Sequence, residues 1–486
     1  MAKQRRVLAA VLLLGALVGC GDDERDGTDK KAAGPALAEP AKLHDWDSVA
    51  LRNALVTVQV VPRLGGRVMS YAFHTRELLY ANPRRYGQLP GAEPVSREPV
   101  PGKGGAAVST ADVQPAQASE PELSPFAAGY ANFGGQVTWP TPQVGWPPSV
   151  VLDQQEHKAT IDLDKGDEVR VTLTSPADEA LGAQLTRTLS LPRAATALRV
   201  SAKLTNRAKE PRPLGLQDLS QHPGALAAGE TFSADQQLYL PLGPTSPLTD
   251  GWANLLGSRA SAHWKVERGV LRLSYGGQEA LAGADGFAGW AAYADARHDT
   301  VLAKVASQPA DGKYPDRNLT ATAYAAPSAR ESYVAMALRS PLATVAPGQA
   351  AELEVWYGAA RCPLPVVGAT KVGVVNTPLV AEQTKETVAV KGVFGVFYQG
   401  WAQLVWRDKA GAELARGEPT KVTPLQPYRL DTVLSPPAAA VQVALEVLSR
   451  DRVPVGVLAQ APVTDRTAAK AEPPKADAAK AETPKP

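Results

Sequence analysis

Alternation with a period of two dominates this chain. In EVRVTLT, residues 168–174, Val169, Val171 and Leu173 fall on one face while Arg170, Thr172 and Thr174 fall on the other, as in a half-buried strand. ALVTVQVV (54–61), ALRVSAKL (197–204), VLRLSY (270–275) and YVAMAL (333–338) approach the same alternation. No long segment carries a helical stripe, and Gly, Pro and Asn punctuate the strands throughout. The pattern predicts an antiparallel all-β architecture.

Where the alternation lapses, composition divides the chain. Lys3, Arg5 and Arg6 precede an apolar run from Val7 to Val18, long enough for a signal-peptide core and short for a membrane span. Residues 21–42 are rich in Asp, Lys, Ala and Gly and are expected to form a disordered tether; the tail 464–486 has the same character with more proline. Residues 88–125, full of Pro, Gly, Ala and Glu, suggest a flexible insertion within a first domain spanning 43–362. A break near 360–370 precedes short strands with a turn at DKAG, and residues 366–463 predict a compact immunoglobulin-like β-sandwich lacking the usual cysteine pair.

Charge removes one class of function. The 486 residues carry 51 basic and 49 acidic side chains in no large cluster, net +2, which does not suggest a nucleic-acid surface. There are two cysteines, Cys20 and Cys362. The first ends LVGC at 17–20, followed by GDD, which resembles the bacterial lipobox. That resemblance implies a signal peptide over 1–20 and acylation of Cys20, placing the body in the bacterial cell envelope with the choice of inner or outer membrane open. Several acyl chains anchor stably, each buried methylene contributing about 0.8 kcal/mol. With Cys20 lipidated, Cys362 has no disulfide partner within the chain.

A second resemblance covers roughly residues 46–361. VVPRLGGRVMSYAF (60–73) sets a glycine pair between two strands, and is followed in order by ELLYANP (77–83), YANFGGQVTWPTPQVGWPP (130–148), LGLQDLSQHPG (214–224), GKYPDRNLTATAY (312–324) and RSPLATVAPGQAAELEVWYGAAR (339–361). This series resembles domain-of-unknown-function family 4380. The resemblance implies an all-β galactose-mutarotase-like β-supersandwich, followed here by the small sandwich. Aldose epimerases of that fold use a glutamate base and a histidine acid, yet their Asn-His-x-Tyr-Phe-Asn-Leu motif is missing. Of six histidines, His222 alone lies in a matching segment. It is the candidate acid, and a structural histidine at a strand end is an equal reading. Glu352 and Glu354 read as surface carboxylates.

Sugars present apolar C–H faces and a rim of hydroxyls, so their sites join aromatic platforms to planar polar groups. Arg67, Asn132, Trp139, Gln143, Trp146, Gln221, Tyr314 and Asp316 supply that mixture from the quoted segments, although Trp139 and Trp146 could equally plug the core. No metal-ligand spacing, nucleophile elbow or phosphate-cradling loop is found, so neither metal nor cofactor is expected. The reading is an envelope lipoprotein that binds carbohydrate or polysaccharide without catalysis. The alternatives are a sugar epimerase or accessory enzyme of glycan processing with His222 as acid, and a structural protein with a vestigial site.

Overall fold

The computed structural model describes residues 34–91, 124–126, 129–143, 147–224 and 235–465. The expected signal peptide with Cys20, most of the tether and the insertion, Trp146, and the tail beyond Asp465 lie outside the described residues.

The fold is all-β. A 13-stranded sheet runs in space from Trp252–Leu256 through Ala280–Ala284, Ala321–Ala325, Tyr333–Arg339, Arg212–Pro223, Gln136–Thr141 and Arg67–Phe73 to Val56–Val61, Trp46–Arg52 and Ala36–Leu43. A 10-stranded sheet built around Thr300–Ala306, Ala350–Arg361 and Leu198–Asn206 packs against it. Pairing within both is antiparallel, with Leu198–Asn206 running against Ala350–Arg361 from Leu198↔Tyr357 to Thr205↔Ala350. Between the layers lies one apolar core, with Leu216, Val334 and Leu338 from the first sheet facing Leu302, Val355 and Tyr357 from the second. This is the supersandwich expected from the sequence. Glu168–Thr174 follows the alternation residue by residue, with Val169, Val171 and Leu173 wholly buried.

Residues beyond 365 form a nine-stranded unit whose two layers close around Phe394, Trp406 and Leu445. The layers join where Gly373–Thr384 and Pro454–Asp465 pair in parallel, Ala381↔Val463 to Gln383↔Asp465. This sandwich is packed directly onto the outer face of the second large sheet. Trp290, Val301 and Tyr239 share an apolar cluster with Val366, Val374 and Phe397, and Gly358 is so close that a Cβ there would stand 2.2 Å from the Phe397 ring.

Three sequence boundaries are corrected. Residues 36–42 of the expected tether belong to the strand Ala36–Leu43, paired from Leu37↔Arg52 to Leu43↔Trp46 across a turn at His44 and Asp45 with φ of 45° and 69°. Ala36 and Ala38 turn into the core, where a small side chain suffices beneath the sheet edge. Ser124 and Pro125, assigned to the flexible insertion, are buried, the Ser124 hydroxyl donating to Glu279 at 2.5 Å. The last strand continues to Asp465, beyond the expected end of the sandwich at 463.

Candidate functional site: a cleft on the outer face of the large sheet

The large sheet has a second face, turned away from the core, and alternation decides what stands on it. Along Arg212–Pro223, Leu216, Asp218, Ser220 and His222 point between the sheets, leaving Gln217, Leu219 and Gln221 on the outer face. Tyr333, Ala335, Ala337 and Arg339 share that face on the neighbouring strand, as do Thr322 and Tyr324 on the next. The whole of Tyr333–Arg339 is therefore buried, one face by the core and the other by the walls of the cleft.

NFGG carries Asn132 to this face. Gly134 and Gly135 have φ of 92° and 77°, a region open to glycine and costly for other residues. A Cβ on Gly134 would come within 2.2 Å of the Tyr80 carbonyl. The Asn132 side chain accepts from Gly134 N at 3.1 Å. It then forms a reciprocal amide pair with Gln221, at 2.9 Å and 2.8 Å. Gln217 Nε2 donates to Gln143 Oε1 at 2.9 Å. Four amides thus face a cleft floored by Leu219, Leu281, Ala335 and Ala337, with Tyr130, Tyr324 and Tyr333 among its aromatic walls. The cleft holds about 890 Å³ of empty space, a figure that includes its open, solvent-filled mouth.

Behind this surface the polar groups are fixed by partners. Tyr324 donates to Glu279 at 2.7 Å, and its ring lies 5.9 Å from that of Tyr333, which stacks on Tyr80 at 5.1 Å. Burial, reinforced by Glu279, holds the Tyr324 phenol well above its usual range. Glu331 accepts from Asn132 Nδ2 at 2.6 Å and from Asn82 Nδ2 at 2.9 Å. Burial pushes its carboxyl up to about 7 against the opposing pull of those amides and of Arg84 and Arg85. Between the sheets, Asp218 accepts from Gln136, Tyr357 and Lys304.

The structure brings Asn132, Gln143, Gln221 and Asp316 together on one cleft and places Arg67, Trp139, Tyr314 and His222 elsewhere, while Trp146 lies outside the described residues. Trp139 is on the same side of the sheet but 1% exposed. Its indole N–H donates to Asp153 at 2.7 Å, and Tyr130 covers it edge-on at 6.2 Å. The short helix Val150–Gln154 sets Asp153 across the tryptophan, so Trp139 is a buried brace and the aromatic rings lining the cleft are those of tyrosines. Arg67 is buried beside it, bound to Asp153, Tyr130 and the Gly134 carbonyl. Burial works against its charge, yet Asp153 and Tyr130 hold it above the usual arginine range. Tyr314 donates its hydroxyl to Pro309 O at 3.1 Å and packs on Phe287, leaving Asp316 as its segment's contribution. His222 lies on the opposite face from the cleft, fully buried, with its nitrogens on Leu78 O at 2.7 Å and Ser220 Oγ at 2.9 Å. Burial pulls its pKa down to about 3; the Leu78 contact opposes this and Lys304 adds to it. It cannot serve as an acid at this surface. Tyr130, Gln217 and Arg339 lay within the quoted segments, and the alternation around Gln221 points to Gln217. Tyr333 opens the quoted strand YVAMAL, where nothing singled it out, and Glu331 lay outside every quoted segment.

No family model matches the chain, and no curated protein matches it. Among solved structures it is similar to a galactose mutarotase-like protein from Clostridium acetobutylicum, 11% identical over 67% of this chain and 99% of that one, TM-score 0.39. A galactose mutarotase-like protein from Lactobacillus casei is 14% identical over 64% and 99%, TM-score 0.38. A TPR-domain containing protein from Parabacteroides distasonis is 14% identical over 68% of this chain, TM-score 0.42, and this chain spans 55% of its length.

Proposed function

We propose that this chain is a bacterial envelope lipoprotein of the family-4380 kind, anchored through acylated Cys20, whose cleft binds a carbohydrate without turning it over. The observation that carries the reading is the convergence of Asn132, Gln143, Gln217 and Gln221 with Tyr324 and Tyr333 over an apolar floor. Amides offer a donor and an acceptor in one plane, matching vicinal hydroxyls, and tyrosine rings match the apolar face of a pyranose. Binding rather than turnover is favoured because His222 points into the core, with both nitrogens engaged. A glycan array probed with wild type and with Gln217→Ala, Tyr324→Ala tests the reading. Binding of a defined glycan, lost at least tenfold in the double variant, is expected. An array without signal, or an unaffected variant, refutes it.

A further inference from the structure

Among the described residues lining the cleft, Arg339 is the one cation and Asp316 the one anion. Arg339 ends the strand Tyr333–Arg339, and its side chain is 7% exposed. Its Nη2 meets Asp316 Oδ2 at 2.9 Å, Nη1 reaches the Leu319 carbonyl at 3.3 Å, and Nε lies 3.4 Å from Gln217 Oε1. The cation is therefore fixed by the sheet, and it touches one of the amides assigned to sugar hydroxyls. Burial lowers its pKa despite Asp316, so the existing counter-charge leaves the guanidinium undercompensated.

Asp316 is held very differently. Its side chain is 48% exposed, and it opens a run of three non-glycine residues, Asp316, Arg317 and Asn318, at φ of 52°, 64° and 67°. Single left-handed residues are ordinary, but successive ones each bear a steric penalty and persist only where their surroundings enforce them. Asn318 Oδ1 accepts from Tyr314 N at 2.9 Å, and the ion pair to Arg339 supplies a second constraint. A rigid, buried cation faces a half-exposed carboxylate on a strained turn, which is the arrangement of a displaceable counter-ion. A neutral pyranose has no need of a buried cation, since the Gln217 and Gln221 amides each keep hydrogen-bonding capacity for its hydroxyls. A sugar carboxylate does, because guanidinium and carboxylate form two parallel charge-assisted hydrogen bonds.

Resting on the reading of this cleft as a sugar site, we propose that it selects acidic sugars, with the carboxylate of a uronate residue taking the place of Asp316 on Arg339 while the turn 316–318 relaxes away from the cleft. The test is calorimetric titration of the full-length chain with methyl glucuronoside and methyl galacturonoside, each against its own methyl ester, which keeps the ring and removes the charge. At least one acid is expected to bind tenfold or more tighter than its ester, and added salt should narrow the gap. Asp316→Asn removes the rival carboxylate, and asparagine tolerates left-handed backbone. This variant is expected to bind the acid severalfold more tightly. Esters that bind as well as acids, or an Asp316→Asn variant that binds the acid more weakly, would mean that the ion pair reads hydroxyls; the acidic-sugar inference then falls while the sugar reading stands. If no acid or ester binds and the glycan array is also silent, both fall.

Discussion

Glu331 makes the region behind the cleft sensitive to pH near neutrality. Its two oxygens accept from Asn132 and Asn82, and burial raises its carboxyl from the ordinary 4.5 to about 7. A carboxyl that holds its proton more tightly when folded contributes its full stability below the unfolded pKa and loses it as pH rises through the folded one. Each tenfold change in proton affinity corresponds to about 1.4 kcal/mol, so the protein should lose about 2 to 3 kcal/mol through this group between pH 5 and pH 8. Other buried groups titrate as well. His157 and His222, both pulled down to about 3 by burial, add stability as pH rises toward 6.5, opposite in sign. Comparing wild type with Glu331→Gln cancels their contribution. The glutamine places an amide against one asparagine donor and forfeits about 1 kcal/mol of hydrogen bonding, nearly independent of pH. Urea unfolding at half-unit steps should therefore show wild type falling by about 2 to 3 kcal/mol relative to the variant across that window. Parallel curves would refute the assignment of a raised pKa to Glu331 and leave Asn132 insensitive to pH.

Other residues give simpler expectations. Asp153→Ala leaves the buried Arg67 charge and the Trp139 indole without their shared acceptor and should cost about 3–5 kcal/mol in urea unfolding. Gly65→Ala forces a side chain to φ 62° with its Cβ 2.1 Å from the Asp153 carbonyl; a loss of at least about 1–3 kcal/mol is expected, and an unchanged melting temperature would contradict the packing described. His222→Ala should lower stability by about 1–3 kcal/mol while leaving glycan affinity intact, as titration of the folded variant will show. Mass spectrometry of the mature chain should find an acylated N-terminal Cys20, and an unmodified terminus at another residue would remove the anchor.

Long alternating strands were legible because each had one face to bury, as in Glu168–Thr174. Ala36–Leu43 was not, because its inward residues are alanines and its remaining positions include Glu39, Pro40 and Lys42, a composition shared with linkers. The cleft was half legible. Asn132, Gln143, Gln221 and Asp316 stood out as polar residues in aromatic or proline-rich segments, and they do meet. Trp139 misled because size and rarity say nothing about which neighbour satisfies an indole N–H, and Asp153 comes from a separate helix. His222 was decidable in principle: it adjoins Gln221 on a strand, so the two cannot face the same side. Arg339 and Glu331 required the tertiary pairing of distant strands and loops, which no local pattern contains.

The order of strands in the large sheet carries a further consequence. The hairpin strand Ala36–Leu43 begins at the residues nearest the proposed lipid, and Tyr333–Arg339, on the floor of the cleft, stands six strand spacings away. Neighbouring strands lie roughly 4.8 Å apart, so this separation amounts to roughly 29 Å measured along the sheet. Were the chain held at Cys20, roughly this much continuous sheet would stand between its anchored end and the floor of the cleft.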